Sequence, residues 1–438
     1  MNQFLDRTFR LRERNTTVST EVLAGLTTFM TMAYILAVNP GILSAAGMDF
    51  SGVFTATALS ALLATLIMGL YANLPFALAP GMGLNAFFAF TVVKGMGFSV
   101  ELALTAVLVE GLLFILLTAL NVREAILNSI PLSLKKSISV GIGLFIAFIG
   151  LYNAGEGIVC QGKGIPLDIG DITTGAPLLT IIGLVITGGL LVFKVRGALF
   201  LGILATTAIG IPLGITTLPK SVVSAPPAPL LFHFDWHGIF TVDFLFILFT
   251  FLFVDMFDTV GTLVGVATKA DMLDEQGRLP AAKKALFADA VGTTVGACLG
   301  TSTVTTYVES AAGVAEGGRS GLSAAVTGFF FLLALFFAPL FAIIPGAATA
   351  PVLILIGLFM LSPVKEIDFD DYTEAIPAFL TFIIMPLTYS IANGIMWGVT
   401  TYIIFKTIAG RVREVPPFTW GIAALFLLKI LFPLFMNG

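Results

Sequence analysis

Fifteen apolar runs, most of them close to the twenty or so residues an α-helix needs to cross a bilayer, follow one another along this 438-residue chain. They fall near 22–43, 53–71, 76–92, 101–120, 134–151, 176–193, 198–216, 243–265, 285–299, 302–315, 321–343, 346–362, 374–390, 391–408 and 418–436. So little polar sequence between them makes lipid the solvent, and in lipid only helices or a closed barrel can satisfy every backbone N–H and C=O. The charge content agrees. At 11% charged and 57% hydrophobic residues, against about 25% charged in soluble domains, soluble enzymes, nucleic-acid binders and disordered scaffolds are excluded. A formal net charge of −4 offers no basic surface for nucleic acid. The charged, amphipathic start MNQFLDRTFRLRERNTTVST leads into a run too long and too internal for the core of a cleaved signal, so no targeting peptide is expected.

Lysine and arginine set the orientation of such a chain, because loops on the cytoplasmic side collect them. With the N-terminus inside and each of the first fourteen runs crossing once, 18 of these residues fall inside and three, Lys94, Lys163 and Lys220, outside. One missed or invented crossing would scramble every later loop. The sequence thus predicts an all-α polytopic protein of a bacterial inner or plasma membrane, with fourteen transmembrane segments and a cytoplasmic N-terminus. The fifteenth run carries Lys429 in its middle and is expected to lie along the interface, where that side chain can snorkel.

Runs three and ten are unlike plain spanning helices. PFALAPGMGLNAFFAF is broken by Pro and Gly, and GTSTVTTYVESAAGVA by a Thr/Ser cluster whose alternation predicts a short strand running into a half-helix. They are corresponding members of two sets of seven, and corresponding broken segments point to an inverted-repeat transporter and its binding site. The repeat shows directly in one place. Ile130-Pro131 followed by Ile142-Gly143-Leu144-Phe145 recurs as Ile344-Pro345 followed by Ile356-Gly357-Leu358-Phe359, with one spacing and an offset of 214. Seven is odd, so the second set enters the membrane inverted: a 7+7 inverted repeat.

Acids within membrane spans are costly and mark function. Glu110, Asp255, Asp258, Asp289 and Glu309 are the candidates, and Asp255, Asp258 and Glu309 stand out. Asp255 and Asp258 are three apart, on one helical face. Glu309 opens the half-helix of run ten, where unpaired backbone N–H groups face a ligand. Overlaying the broken runs pairs Asn85 with Glu309 at one centre, an amide beside a carboxylate that suits a planar heterocycle with mixed N–H and carbonyl edges; Asn85 can equally cap its half-helix. Phe87, Phe88 and Tyr307 are candidates to stack on a ring. Asp289 reads as interfacial and Glu110 as a bond within a helix pair. His233 and His237, four apart in HFDWH, form a weak metal candidate without a third ligand, so neither metal nor cofactor is expected. Cys160 and Cys298 read as free thiols.

TTFMTMAYILAVNPGIL in run one, APGMGLNAFFAF in run three, FVDMFDTVGTLVG in run eight and TTYVESAAGVAEGGRSG in run ten resemble the AzgA-like adenine/guanine/hypoxanthine permeases. These are a branch of the nucleobase/ascorbate transporter superfamily, which also holds uracil and xanthine permeases. The resemblance runs over nearly the whole chain. It implies a cytoplasmic N-terminal segment 1–20, a core domain from 21–120 and 241–343, a gate domain from 121–240 and 344–410, and a C-terminal interfacial segment 411–438. It also implies short strands in runs three and ten, a base bound between them, and a homodimer through the gate. The family's acids fall on Asp258 in D-T-V-G-T-L and Glu309 in T-T-Y-V-E-S, and its asparagine on Asn85. Xanthine and urate relatives carry a Gln-His pair in run one that is missing here, which disfavours that class. Anion-exchanging relatives lack an acid at the position of Glu309.

The combined expectation is a purine permease, not an enzyme, taking up base and proton by alternating access. Glu309 would accept from base N–H groups, while Asp258, supported by Asp255, would touch the opposite edge and carry the proton; a protonated Asp258 donates where the ionised form cannot. A uracil- or xanthine-type nucleobase permease and a channel are the alternatives. An intramembrane enzyme lacks support, since no nucleophile with a partner His, no HExxH and no phosphate-binding Gly loop is present.

Overall fold

A computed structural model describes residues 2–120, 131–152, 157–219, 221–274, 279–417, 419–424 and 426. Arg123, Ile130, Lys220, Arg278 and Lys429, and most of the fifteenth run, lie outside the described residues.

Each of the first fourteen runs becomes one span. Spans one to four are Val18–Met32 with Ile35–Ser44, Phe50–Ile67 with a wider turn to Ala72, strand Leu78–Pro80 with Met82–Ala86 and Phe87–Gly95, and Val100–Ala119. Spans five to seven are Leu132–Leu151, Gly175–Val192 and Ala198–Gly210, and spans eight and nine are Val242–Lys269 and Ala282–Leu299. Span ten is strand Val304–Thr306 with Ser310–Ala315, span eleven Gly321–Ala334 with Ala338–Ala342, and spans twelve to fourteen Gly346–Phe359, Tyr372–Leu387 and Ile391–Ile408. Among the described residues, seven stretches are long and apolar enough to cross a bilayer on those grounds alone. Several helices begin where a side chain takes an orphan backbone N–H: Asp49, Ser99, Thr241, Asp371 and Ser390 cap spans two, four, eight, thirteen and fourteen.

The packing has two-fold character. Span one packs on eleven, and its counterpart eight on four; two packs on eleven, and nine on four. Likewise five packs on thirteen as twelve does on six, and six on seven as thirteen on fourteen. Counterparts also meet each other at spans two and nine, three and ten, and five and twelve. At the last of these the repeated sequence touches itself. A Cβ on Gly143 would overlap the carbonyl oxygen of Gly357, and one on Gly357 that of Gly143, so only glycine admits this approach of two helix backbones. The expected fold, a 7+7 inverted repeat with strands and half-helices in segments three and ten, is the one observed.

The strands of spans three and ten pair antiparallel, Leu78 opposite Thr306, Ala79 opposite Thr305 and Pro80 opposite Val304. A two-stranded ribbon in a membrane has two open edges, and unpaired backbone groups there are expensive. Threonines of the preceding spans close both. Thr65 Oγ1 accepts from Leu78 N–H at 2.9 Å and donates to Leu78 C=O at 3.1 Å. Thr293 Oγ1 does the same for Val304, at 3.3 and 2.9 Å. Past span fourteen, Phe426 packs its ring on Phe246 and Phe249 of span eight.

Candidate substrate site

The polar run Thr301–Thr305 ties five spans together before the half-helix begins. Thr301 receives a bond from Asn39 Nδ2 of span one at 2.9 Å, and Ser302 donates to Asn85 Oδ1 of span three. Thr303 donates to Glu110 Oε2 of span four at 2.6 Å, Val304 is clamped by Thr293 of span nine, and Thr305 Oγ1 lies 2.7 Å from Thr259 Oγ1 of span eight. Every member of the run is buried. A Thr/Ser cluster that merely interrupts a helix thus acts as a hub, because each hydroxyl both satisfies itself and fixes the strand.

Beyond this hub the chain opens. Tyr307 Oη donates to Pro80 C=O at 2.5 Å, closing the ribbon. Val308 is 52% exposed. Glu309 follows at the start of Ser310–Ala315 and is partly exposed, as is Asp258 of span eight. The Glu309 side chain does not cap its own helix; its Oε1 accepts a hydrogen bond from Tyr34 Oη at 2.5 Å. Tyr34 sits in the break between the two helices of span one. Both tyrosines lie within Coulombic reach of Asp258 and Glu309. The half-helix is held against span one at Gly313, where any Cβ would run into Ala24 C=O and Thr28 Oγ1.

Asp258, Glu309 and Tyr307 therefore come together as the sequence leads one to expect. The others take different positions. Asp255 is fully buried and accepts from Thr259 Oγ1 at 3.0 Å. Asn85 caps nothing, since Gly81 precedes its helix; it takes the Ser302 hydroxyl and reaches Pro80 C=O at 3.5 Å, joining the two broken spans. Phe88 is wholly inside the apolar core. Asp289 is not interfacial: it is fully buried, with its Oδ1 2.9 Å from Thr259 Oγ1, because the turn from Ala281 starts span nine two helical turns before it. Glu110 reaches beyond its helix pair to the hub. The HFDWH segment is not helical, so His233 and His237 share no helix face; His237 Nδ1 instead lies 2.9 Å from Asp235 Oδ1. No cluster of three metal-ligating groups occurs among the described residues.

Tyr34 and Thr259 escaped the sequence reading. For Tyr34 a signal existed: a phenol buried in an apolar run needs a hydrogen-bond partner. For Thr259 none did, since threonine is common in these spans.

A polytopic inverted repeat, broken at matching spans around membrane carboxylates, defines a secondary transporter. The chain belongs to the permease family named for xanthine and uracil permeases, whose sequence pattern matches residues 19–397. The guanine/hypoxanthine permease PbuG of Bacillus subtilis is 46% identical over 437 residues, covering 97% of this chain and 99% of its own. The adenine permease AdeP of Escherichia coli is 44% identical over 430 residues, covering 98% of this chain and 96% of its own. Among solved structures, the transmembrane domain of the cyanobacterial bicarbonate transporter BicA matches with a TM-score of 0.63 at 16% identity, over 85% of this chain and 96% of that one, a likeness of fold alone.

Proposed function

We propose that the protein carries purine bases, adenine, guanine or hypoxanthine, into the cell together with protons. The observation that carries this reading is the partly open carboxylate pair Asp258 and Glu309 where the two broken spans meet; relatives named as purine permeases support it. Glu309 would accept from N–H groups of the base. Asp258 would meet the opposite edge and exchange the proton, with buried Asp255 behind it as support. Spans one to four and eight to eleven would form the core that moves, and spans five to seven and twelve to fourteen the gate, an assignment supported by the pairs that pack together. The excess of Lys and Arg on one set of loops supports a cytoplasmic N-terminus in an inner or plasma membrane.

Uptake of labelled adenine, guanine and hypoxanthine into cells lacking their own permeases tests the proposal. Saturable uptake, competed by purines and not by uracil, is expected, and Asp258→Ala with Glu309→Ala should abolish it. No uptake of any purine, or full uptake by the double variant, overturns the reading; competition by uracil alone would assign a pyrimidine instead.

A further inference from the structure

We propose that Tyr34 is a specificity-determining residue of this site, acting by positioning Glu309; the inference rests on the purine reading above. Tyr34 is 1% exposed, and its only route to satisfaction is through its hydroxyl. That hydroxyl is spent on Oε1 of Glu309 at 2.5 Å, whereas the neighbouring Tyr307 spends its own on the backbone at Pro80. The two phenols thus have different tasks: one closes the ribbon, the other holds the carboxylate.

Local backbone places it there. Around residues 33–37 the helix tightens, with Leu36 N–H donating to Ala33 C=O and Ala37 N–H to Tyr34 C=O, and this break brings the ring to the half-helix. Its platform is rigid as well. Thr31 Oγ1 lies 3.5 Å from the Glu309 carbonyl oxygen, and Gly313 leaves no gap between the half-helix and Ala24 and Thr28. With Oε1 receiving the phenol proton, the plane of the carboxylate is fixed and Oε2 becomes the atom turned to a ligand. An ionised carboxylate only accepts, so this oxygen selects a purine edge that presents an N–H. A freely rotating carboxylate would make the same bond with a greater loss of side-chain freedom and a looser preference.

The test compares hypoxanthine with its N1-, N7- and N9-methyl derivatives, each lacking one N–H, as competitors of labelled hypoxanthine. Tyr34→Phe should weaken hypoxanthine roughly tenfold in KM, the scale of one hydrogen bond to a charged group, with maximal uptake per molecule of membrane protein nearly unchanged. The derivatives missing the N–H that faces Glu309 should show no further loss: N1-methyl alone if that edge is N1–H, or N7- and N9-methyl together if it is the imidazole edge, which carries a single proton. An equal loss for hypoxanthine and all three derivatives, or no loss at all, overturns the proposal. Glu309→Gln gives a second reading with Tyr34 intact: with the phenol still donating, now to the amide oxygen in place of Oε1, the NH2 group turns to the ligand. Hypoxanthine should then weaken more than those same derivatives, and unchanged hypoxanthine affinity would count against the proposal. Failure of the wild-type protein to take up any purine would instead sink the purine reading itself.

Discussion

Single hydroxyl groups decide much of this protein's interior. Thr65 and Thr293 stand at matching places in the two halves and each supplies both the donor and the acceptor that a strand edge lacks. Replacing Thr293 with the isosteric valine leaves the N–H and C=O of Val304 buried without that partner, at a cost of about 1–3 kcal/mol per group. A clearly lowered melting temperature of the detergent-solubilised Thr293→Val protein is expected, and an unchanged one would show that the clamp carries no stability. Residue chemistry was legible in the sequence where the residue type is rare in lipid, as with Asp258 and Glu309. It was illegible where the type is common and the partner lies far along the chain: Thr259 meets Asp289 and Thr305 only through the packing of three spans. Asp289 was misplaced for a related reason, since a helix start read from hydropathy is uncertain by a turn when Lys283 and Lys284 precede the apolar stretch.

At the scale of elements, spans five and twelve meet through repeated glycines. Gly357→Ala should force these helices apart and lower the melting temperature, whereas Gly346→Ala, on the same span with open space at its Cα, should be neutral. Equal effects of the two would remove the close approach as an explanation. The ends of spans thirteen and fourteen are joined differently, by charge. Arg411 bonds Asp371 at 2.6 Å and Glu414 at 2.7 Å, while buried Lys406 bonds Glu374 at 2.6 Å and Glu414 at 2.9 Å. Bonds from the Thr373 hydroxyl and Arg411 hold Asp371 down at about 2, and Arg411 and Lys406 hold Glu414 at about 2. Because these folded-state values lie below the unfolded ones of about 4, the stabilisation is complete above about pH 4 and is lost as pH falls toward 2. Arg411→Met should therefore lower stability near neutral pH and flatten its decline across that window in thermal melts taken from pH 6 to about 2.5; parallel curves for variant and wild type would contradict the assignment.

For the molecule as a whole, the count and order of spans were readable because charges are so scarce that their alternation from loop to loop could be followed. The inversion was readable from one repeated motif, and the packing of counterpart spans gives it a physical form in the contact of Gly143 with Gly357. The hub at Thr301–Thr305 was not readable, because five spans far apart in sequence supply its partners. Transport joins these scales: carboxylates beside the paired strands, one on span eight and one at the start of the half-helix of span ten. Purified protein in liposomes tests this claim most directly, by following labelled hypoxanthine under an imposed pH gradient, acid outside. The account predicts accumulation above the external concentration, collapsed by a protonophore and absent in Asp258→Ala. Equilibration without accumulation, or accumulation indifferent to the gradient, would contradict it.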